Sequence, residues 1–180
     1  SKGFIDLART PYCREPLLDW MRPEVSKSDC IAPEQTGKST AGYCGQIFVA
    51  NFGLGPMTTM YPSDDLCKEV NADRVEPLIN GIPKLAEIIK RPKTKTAGSY
   101  KFPGATWYFT GPGKATLAKS FKYVVMEEID FWNEDHQAED KSKKRDDKVQ
   151  VSNEVNLEKR QFSYEGKGAF TGNYCSPTLK

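Results

Sequence analysis

The segment APEQTGKS, residues 32–39, constrains the fold of this chain more than any other segment does. It follows the pattern of a phosphate-binding loop, except that Ala32 stands where the pattern has its first glycine. Such a loop joins the end of a β-strand to the start of an α-helix. Residues 25–32 are accordingly a strand candidate, and we expect a helix to run from Lys38 to Phe52.

Outside this loop, short apolar segments alternate with segments of helical spacing. We expect strands at residues 56–61, 100–102, 106–110, 123–126 and 168–174. Ser63 is a typical N-cap for a helix with acids in its first turn, Pro83 opens another helix, and residues 114–120 form a third. Residues 91–98 are polar and basic and indicate a loop. The alternation predicts an α/β fold, in which a mostly parallel central sheet is flanked by helices on both faces.

Composition sets broad limits on the class of protein. The chain has 180 residues, of which 38% are apolar, and this length and composition favour one globular domain. Its net charge is +2. This near-neutral balance argues against a surface coated with basic charge, but it leaves room for a local basic face. Five scattered cysteines without a CxxC pair indicate free thiols, and a histidine-rich metal site is excluded because His136 is the only histidine. No apolar run approaches a membrane span, so we expect no membrane partner.

The loop supplies the groups needed to hold a chain of phosphates. A helix that begins after Gly37 presents free amides and the positive end of its dipole to an anion. The Lys38 ammonium can reach the outer phosphate oxygens, and the Ser39 hydroxyl can complete a magnesium shell. Because Pro33 has no amide and Glu34 adds an acid, the cradle must use the amides of Gln35, Thr36, Gly37, Lys38, Ser39 and Thr40. The alternative is an ordinary helix N-terminus with a solvated lysine.

Two carboxylates, Glu127 and Glu128, follow the apolar segment 123–126. In parallel α/β sheets ligands bind at the carboxyl ends of strands, which is where these acids fall. We assign Glu127 to the magnesium shell, and Glu128 to the attacking water as its orienting group or general base. The alternative is a pair of ordinary charges at a helix start. Together with the upstream loop, the pair predicts hydrolysis of ATP.

Other residues are candidates for the rest of such a site. Ser176 and Thr178 follow the last expected strand, and their hydroxyls could contact the terminal phosphate or the attacking water and relay hydrolysis onward. An ordinary turn after a strand is the alternative. Tyr12, with Arg14 nearby, could stack on the adenine base, or it could pack in the core.

Basic residues outside the phosphate-binding loop are candidates for an arginine finger and for contacts with DNA. An arginine finger would stabilise the charge of the transition state. Arg74, Arg91, Arg145 and Arg160 are all candidates, and Arg74 is favoured because it lies in a segment with a helical pattern, although it could equally be a solvated residue. The lysine-rich residues 90–95 could touch a DNA backbone, since phosphate contacts need only charge and reach, or they could form an ordinary solvated loop.

These motifs resemble the ATPase domain of the large terminase subunit of tailed bacteriophages, in the branch typified by lambda. The resemblance covers most of the chain and rests on TPYCREP at residues 10–16, APEQTGKS at 32–39, MYPSDDLCKEVNADRVEPLI at 60–79, and VVMEEIDFW at 124–132 followed by CSPT at 175–178. By this resemblance Tyr12 falls in the adenine-binding lead-in, Glu128 at the catalytic carboxylate, and Ser176 and Thr178 in the coupling motif. Glu127 replaces the family's usual aspartate, and Cys175 replaces its usual serine.

The resemblance also implies a fold, a function and partners. It implies a phosphate-loop ATPase domain of the ASCE type over residues 1–180, which uses ATP and Mg²⁺ to drive double-stranded viral DNA into a procapsid. Its partners would be the portal protein, a small terminase subunit and further copies in a ring. We expect this chain to be one domain of a longer protein that continues into a nuclease domain. It would act in the host cytoplasm and, transiently, at the portal vertex.

Two other functions are compatible with the same residues. A helicase-type DNA translocase would share the ATP site but work on DNA without a portal. A non-hydrolysing assembly or DNA-binding module would keep the loop as a relic, and the departures at Pro33, Glu34 and Glu127 favour this alternative. Strand unwinding would indicate the first, and an absence of ATP binding would indicate the second.

Overall fold

A computed structural model describes residues 6–96, 98–111, 119–129, 159–164 and 166–176. Strands in these ranges form one sheet, and in chain order they are β1 Lys27–Ile31, β2 Met57–Met60, β3 Lys95–Thr96, β4 Ser99–Phe102, β5 Ala105–Thr110, β6 Tyr123–Glu127 and β7 Phe170–Cys175. Their order across the sheet is β1-β7-β6-β2-β5-β4-β3.

The order of the strands brings distant parts of the sequence to one edge of the sheet. From β1 to β5 across the sheet all neighbours are parallel, whereas β4 and β3 are antiparallel additions at the far side. The last strand, β7, lies between β1 and β6. The carboxyl ends of these three strands therefore lie side by side, and the predicted mostly parallel α/β sheet is confirmed.

Among the described residues, helices fill the connections from β1 to β2 and from β2 to β3, and one more precedes β1. They are α1 Arg14–Asp19, α2 Lys38–Phe52, α3 Asp64–Val70, α4 Glu76–Asn80 and α5 Pro83–Ile89, with one π-helical turn, Asn71–Val75, between α3 and α4. Short 3₁₀ turns lie at Pro11–Cys13 and Phe162–Tyr164. The predicted start and end of α2 are confirmed. The Ser63 hydroxyl accepts a hydrogen bond from the Leu66 amide at 3.2 Å, so Ser63 is the N-cap of α3 as predicted.

The main hydrophobic core lies between the helices and one face of the sheet. It joins buried side chains of α2 to α5 with alternate residues of the strands, among them Tyr43, Val75, Ile79, Leu85, Trp107, Val125 and Tyr174. A smaller cluster on the opposite face comprises Met60, Phe121, Val124 and Met126. Helices on that second face stay a prediction, because residues 112–118 and 130–158 lie outside the described ranges.

A buried polar network fixes α2 against the sheet. Gln46 of α2 and Thr59 of β2 hydrogen-bond through their side chains at 2.7 Å, and the Trp107 indole donates to the Thr59 hydroxyl at 2.8 Å. Because buried polar groups are costly unless paired, this network favours one position of the helix along the sheet. The loop that precedes α2 is positioned by the same contacts.

The structure differs from the predicted elements in two places. Residues 91–98 were expected to be a loop, yet Lys95–Thr96 forms β3, which pairs with the exposed side of β4. Lys119 and Ser120, the two described residues of the expected helix 114–120, are not helical. The rest of that helix lies outside the described residues.

Gly45 of α2 is expected to tolerate no larger side chain. A Cβ at this position would lie 2.2 Å from the ring of Trp20. This ring is held by Phe170, with ring centroids 4.5 Å apart, and by a 3.1 Å hydrogen bond to the Tyr174 hydroxyl. Gly45→Ala would gain about 1 kcal/mol in helix propensity, but we expect the clash, at about 1–3 kcal/mol, to lower the free energy of unfolding overall. Denaturant unfolding measures this change.

Gly98→Ala is the control for this prediction, because its Cβ would meet only one atom, at an ordinary contact distance of 3.5 Å. If Gly45→Ala and the parent chain unfolded at the same denaturant concentration, the proposed packing of Trp20 would be contradicted.

Candidate functional site

The loop between β1 and α2 has the backbone that its sequence predicts. Gly37 is the N-cap of α2 with φ of +87°, a left-handed conformation that favours glycine. A Cβ there would meet no atom within 4 Å, so the backbone conformation and not crowding requires glycine. Gln35 is also left-handed, with φ of +59°, and the Thr36 hydroxyl donates to the Pro33 carbonyl at 2.8 Å. These turns aim the first amides of α2 at the space above the sheet edge.

The Lys38 side chain, from the loop after β1, contacts residues that directly follow β6 and β7. This side chain is only 7% exposed, and its ammonium lies 3.4 Å from a Glu128 carboxylate oxygen. The same ammonium donates to the Ser176 hydroxyl at 2.7 Å. The Ser176 amide in turn lies 3.4 Å from the other oxygen of Glu128. The loop lysine, the acid after β6 and the hydroxyl after β7 therefore form one charged cluster.

The backbone at Glu128 explains where this acid points. Glu128 has φ of +52°, uncommon for a residue with a side chain, and its amide donates to the Tyr174 carbonyl of β7 at 2.9 Å. The chain therefore turns sharply as it leaves β6. Glu127 and Glu128, consecutive in sequence, consequently face different surroundings, since one lies within the sheet and the other at the mouth of a cleft.

Ser39 and Glu127 form a second, buried pair. The Ser39 hydroxyl donates to a Glu127 carboxylate oxygen at 2.8 Å, and Glu127 is 2% exposed. Burial raises the pKa of Glu127 to about 8, and the Ser39 hydrogen bond opposes that rise. A cation bound near the Ser39 hydroxyl and the Glu127 carboxylate would lower the pKa of Glu127 again. A hydroxyl and a carboxylate are oxygen donors of the kind that Mg²⁺ prefers, so this pair fits such an ion.

Two buried tyrosines behind this pair were missed by the sequence analysis. The Tyr61 hydroxyl at the end of β2 donates to the Tyr43 hydroxyl at 3.0 Å. Burial, first, and then the nearby Glu127 carboxylate raise the pKa of Tyr43, so the phenol stays neutral. Tyr43 follows Ser39 by four residues and thus shares its helix face. That spacing was the signal that could have identified it.

These groups line an open cleft of about 430 Å³ at the carboxyl edge of the sheet. Its lining residues are Glu34, Gln35, Gly37, Lys38, Ser39, Thr40, Arg74, Glu128 and Ser176. Arg74 is the favoured arginine of the sequence analysis, and the π-helical turn carries it to the cleft wall. Glu34, which adds an acid to the loop, lies exposed at the same wall.

Other predicted site residues lie outside this lining. Tyr12, 54% exposed, and Arg14 are on the lead-in, which reaches the loop through a 4.0 Å contact between the Cys13 thiol and the Thr36 carbonyl. Thr36 itself shapes the loop without lining the cleft. Arg91 and Arg160 are described and do not line the cleft, whereas Arg145 and Thr178 lie outside the described residues.

Within the described ranges no group of three or more histidine, cysteine, aspartate or glutamate side chains could hold a metal ion by itself. None of the described helices has both the length and the apolar character needed to cross a bilayer.

The fold and the loop define an α/β protein of the phosphate-loop type. The family model for the phage terminase large subunit gpA, ATPase domain, matches residues 1–145, and the chain belongs to this family. Among solved structures, the large terminase of bacteriophage HK97 is similar with a TM-score of 0.65 at 12% identity. That match covers 96% of this chain and 33% of the HK97 chain, so this chain spans about a third of that protein. Comparison with curated proteins gives no match.

Proposed function

We propose that this chain is the ATP-hydrolysing motor domain of a viral terminase large subunit, which drives double-stranded viral DNA into a procapsid. The observation that carries the proposal is the 3.4 Å approach of Lys38 and Glu128, which are 90 residues apart in sequence, at the wall of one cleft. A relic loop would not require an acid beside the loop lysine. The Lys38–Glu128 pair therefore favours an active ATPase over a non-hydrolysing module.

In this proposal the loop binds the phosphates of ATP. The amides of Gln35 to Thr40 face the phosphate oxygens at the positive end of α2, and the Lys38 ammonium contacts the terminal phosphates. Tyr12 and Arg14 lie on the lead-in beside the loop, where the adenine base would extend. Because Lys38 already contacts Glu128, a bound triphosphate would share that ammonium with the acid.

Ser39 and Glu127 would hold Mg²⁺ in this site. When bound, the ion would neutralise charge on the phosphate oxygens and so aid phosphoryl transfer. Glu127 is longer than the aspartate that is usual at this position, and its hydrogen bond to Ser39 already brings its oxygen to the hydroxyl. The longer side chain is therefore compatible with the assigned role.

Hydrolysis needs one water molecule aligned with the terminal phosphorus. Glu128 would orient this water and accept its proton as the new oxygen–phosphorus bond forms and the bond to the bridging oxygen of ADP breaks. The hydroxyls of Ser176 and Thr178 would contact the terminal phosphate and relay its release to the rest of the protein. Ser176 is suited to this role because it contacts both Lys38 and Glu128.

Arg74→Ala is expected to lower ATP turnover by about tenfold. Arg74 lines the cleft and would stabilise charge on the terminal phosphate, but its exposure to solvent weakens that effect. Steady-state hydrolysis measured without DNA tests the prediction. Arg91→Ala removes the same charge outside the cleft and should leave turnover unchanged. Equal rates for the two variants would rule out a role for Arg74.

We propose that residues 1–180 form one ATPase domain of a longer protein, in which a nuclease domain follows. The partners would be viral double-stranded DNA, the portal protein, a small terminase subunit and further copies of the chain in a ring. The setting would be the host cytoplasm and, during packaging, the portal vertex.

The proposed function is tested with purified chain, ATP and Mg²⁺. Calorimetry should show binding of ATP, and phosphate release should follow. No heat of binding would indicate a relic loop instead. In the longer protein, DNA uptake into procapsids that needs the portal would support packaging. Strand unwinding without any portal would instead indicate a helicase-type translocase.

A further inference from the structure

The loop between α5 and β3 carries a concentrated positive charge. Residues 90–95 include four cations, Lys90, Arg91, Lys93 and Lys95, and no acid, and all four side chains are exposed. Lys95 forms an ion pair with Glu76. Among the described residues, no ion pair involves the other three cations. No described acid therefore competes with an external anion for these three charges.

Hydrogen bonds hold this basic loop in one shape. The one proton of the Thr94 hydroxyl can be donated to the carbonyl of Arg91 at 2.6 Å or of Ile88 at 2.9 Å. The Lys101 amide donates to the Thr94 carbonyl at 2.7 Å. Lys93 adopts a left-handed backbone with φ of +65°, which is uncommon for lysine. A fixed loop loses little conformational entropy when it binds, so it is better suited to a ligand than a mobile chain of equal charge.

The exposed positive charge of this loop suits the phosphate backbone of duplex DNA. Phosphate contacts require exposed cations at the spacing of a regular polyanion, and they carry no demand for base-reading side chains. The net charge of +2 means that attraction to DNA has to come from a local surface and not from the chain as a whole.

A chain of contacts joins the basic loop to the nucleotide cleft. Lys95 is 2.6 Å from Glu76, the first residue of α4 and two positions after Arg74. The Tyr100 hydroxyl donates to Glu76 at 3.4 Å. The side chain of Asn71, the first residue of the π-helical turn, lies close enough to this hydroxyl to oppose the rise that burial causes in the pKa of Tyr100. Both ends of the turn that carries Arg74 are thus tied to β3 and β4, beside the loop.

We propose that Lys90, Arg91 and Lys93 bind the backbone of duplex DNA, and that the Lys95–Glu76 pair connects this contact to Arg74 in the ATP site. The inference rests on the proposed function, because the transmitted effect is on ATP turnover. DNA held at the loop would bias the position of the π-helical turn and, through it, the arginine at the cleft wall.

Binding is tested by fluorescence anisotropy with a labelled duplex DNA fragment over a range of salt concentrations. The triple variant Lys90→Ala, Arg91→Ala, Lys93→Ala should bind more weakly, and the slope of log affinity against log salt should fall by about 0.9 for each phosphate that the protein no longer neutralises. The control replaces Lys27, Lys68 and Lys167, which are exposed on other elements, and removes the same charge. An equal weakening in the two triple variants would overturn the loop as the DNA contact.

The connection to the cleft is tested by ATP turnover with and without the same DNA. The parent chain should change its turnover when DNA is added, and Glu76→Gln should abolish that change without weakening DNA binding, because it leaves Lys95 as a further unpaired cation. The charge swap Glu76→Lys with Lys95→Glu should restore the change at saturating DNA, since its acid beside the loop weakens binding. If Glu76→Gln responds to DNA like the parent chain, the connection is wrong. If the parent binds DNA through the loop but neither binds nor hydrolyses ATP, the proposed function fails instead.

Discussion

Glu128→Gln is expected to lower ATP turnover by roughly 10²- to 10⁴-fold, which is the range for removal of a general base. Glutamine keeps the size of the side chain and can still accept a hydrogen bond from Lys38, but it cannot take a proton from water. Nucleotide binding should therefore survive, because the loop amides and Lys38 are unchanged. Single-turnover hydrolysis measures the chemical step, and calorimetry with ATP and Mg²⁺ measures binding.

Glu34→Gln is the matched control, since it removes one acid from the same cleft at an exposed position on the loop. It should leave hydrolysis close to that of the parent chain and strengthen ATP binding, because it removes repulsion between the acid and the phosphates. Hydrolysis by Glu128→Gln at the parent rate would show that another group activates the water. The assignment of Glu128 would then be wrong, even if the chain were an ATPase.

Lys38→Ala is expected to weaken ATP binding and hydrolysis together. Removal of a charge-assisted hydrogen bond to phosphate costs about 2–3 kcal/mol, which is about 30- to 150-fold in the dissociation constant. Turnover should fall by a further 10²- to 10³-fold, roughly the effect of removing one preorganised donor to the developing charge. The substitution also removes the ion pair between Lys38 and Glu128.

The thermal stability of Lys38→Ala has to be measured beside its activity, because Lys38 bridges Glu128 and Ser176. Lys27→Ala, which removes an exposed lysine from β1, is the control for net charge. A folded Lys38→Ala protein that bound ATP with the parent affinity would contradict the assignment of the loop to phosphate binding.

Sequence patterns predicted the helices that are determined by residues close together in sequence. The glycine before Lys38 and the apolar spacing up to Phe52 indicated α2, and Ser63 indicated the start of α3. The edge strand Lys95–Thr96 was missed because two polar residues have no pattern of their own, and they form a strand only when β4 offers an unpaired side.

The site could be predicted only where each residue belongs to a motif. Lys38, Ser39, Glu127 and Glu128 were identified because they belong to the loop and to the strand end. The sequence favoured Arg74 only by its helical pattern, because Arg74 reaches the cleft through a π-helical turn that no local propensity predicts. Tyr61 was likewise missed, since its role depends on β2 lying beside β6 in the sheet.

In the proposed mechanism the phosphate loop and the two carboxylates, Glu127 and Glu128, act on one triphosphate. A crystal structure of this chain with a non-hydrolysable ATP analogue and Mg²⁺ tests it most directly. We predict that the terminal phosphate lies between the Lys38 ammonium and the Glu128 carboxylate, with the Ser39 hydroxyl on the metal ion. An analogue bound elsewhere on the molecule, or one whose terminal phosphate points away from Glu128, would contradict the claim.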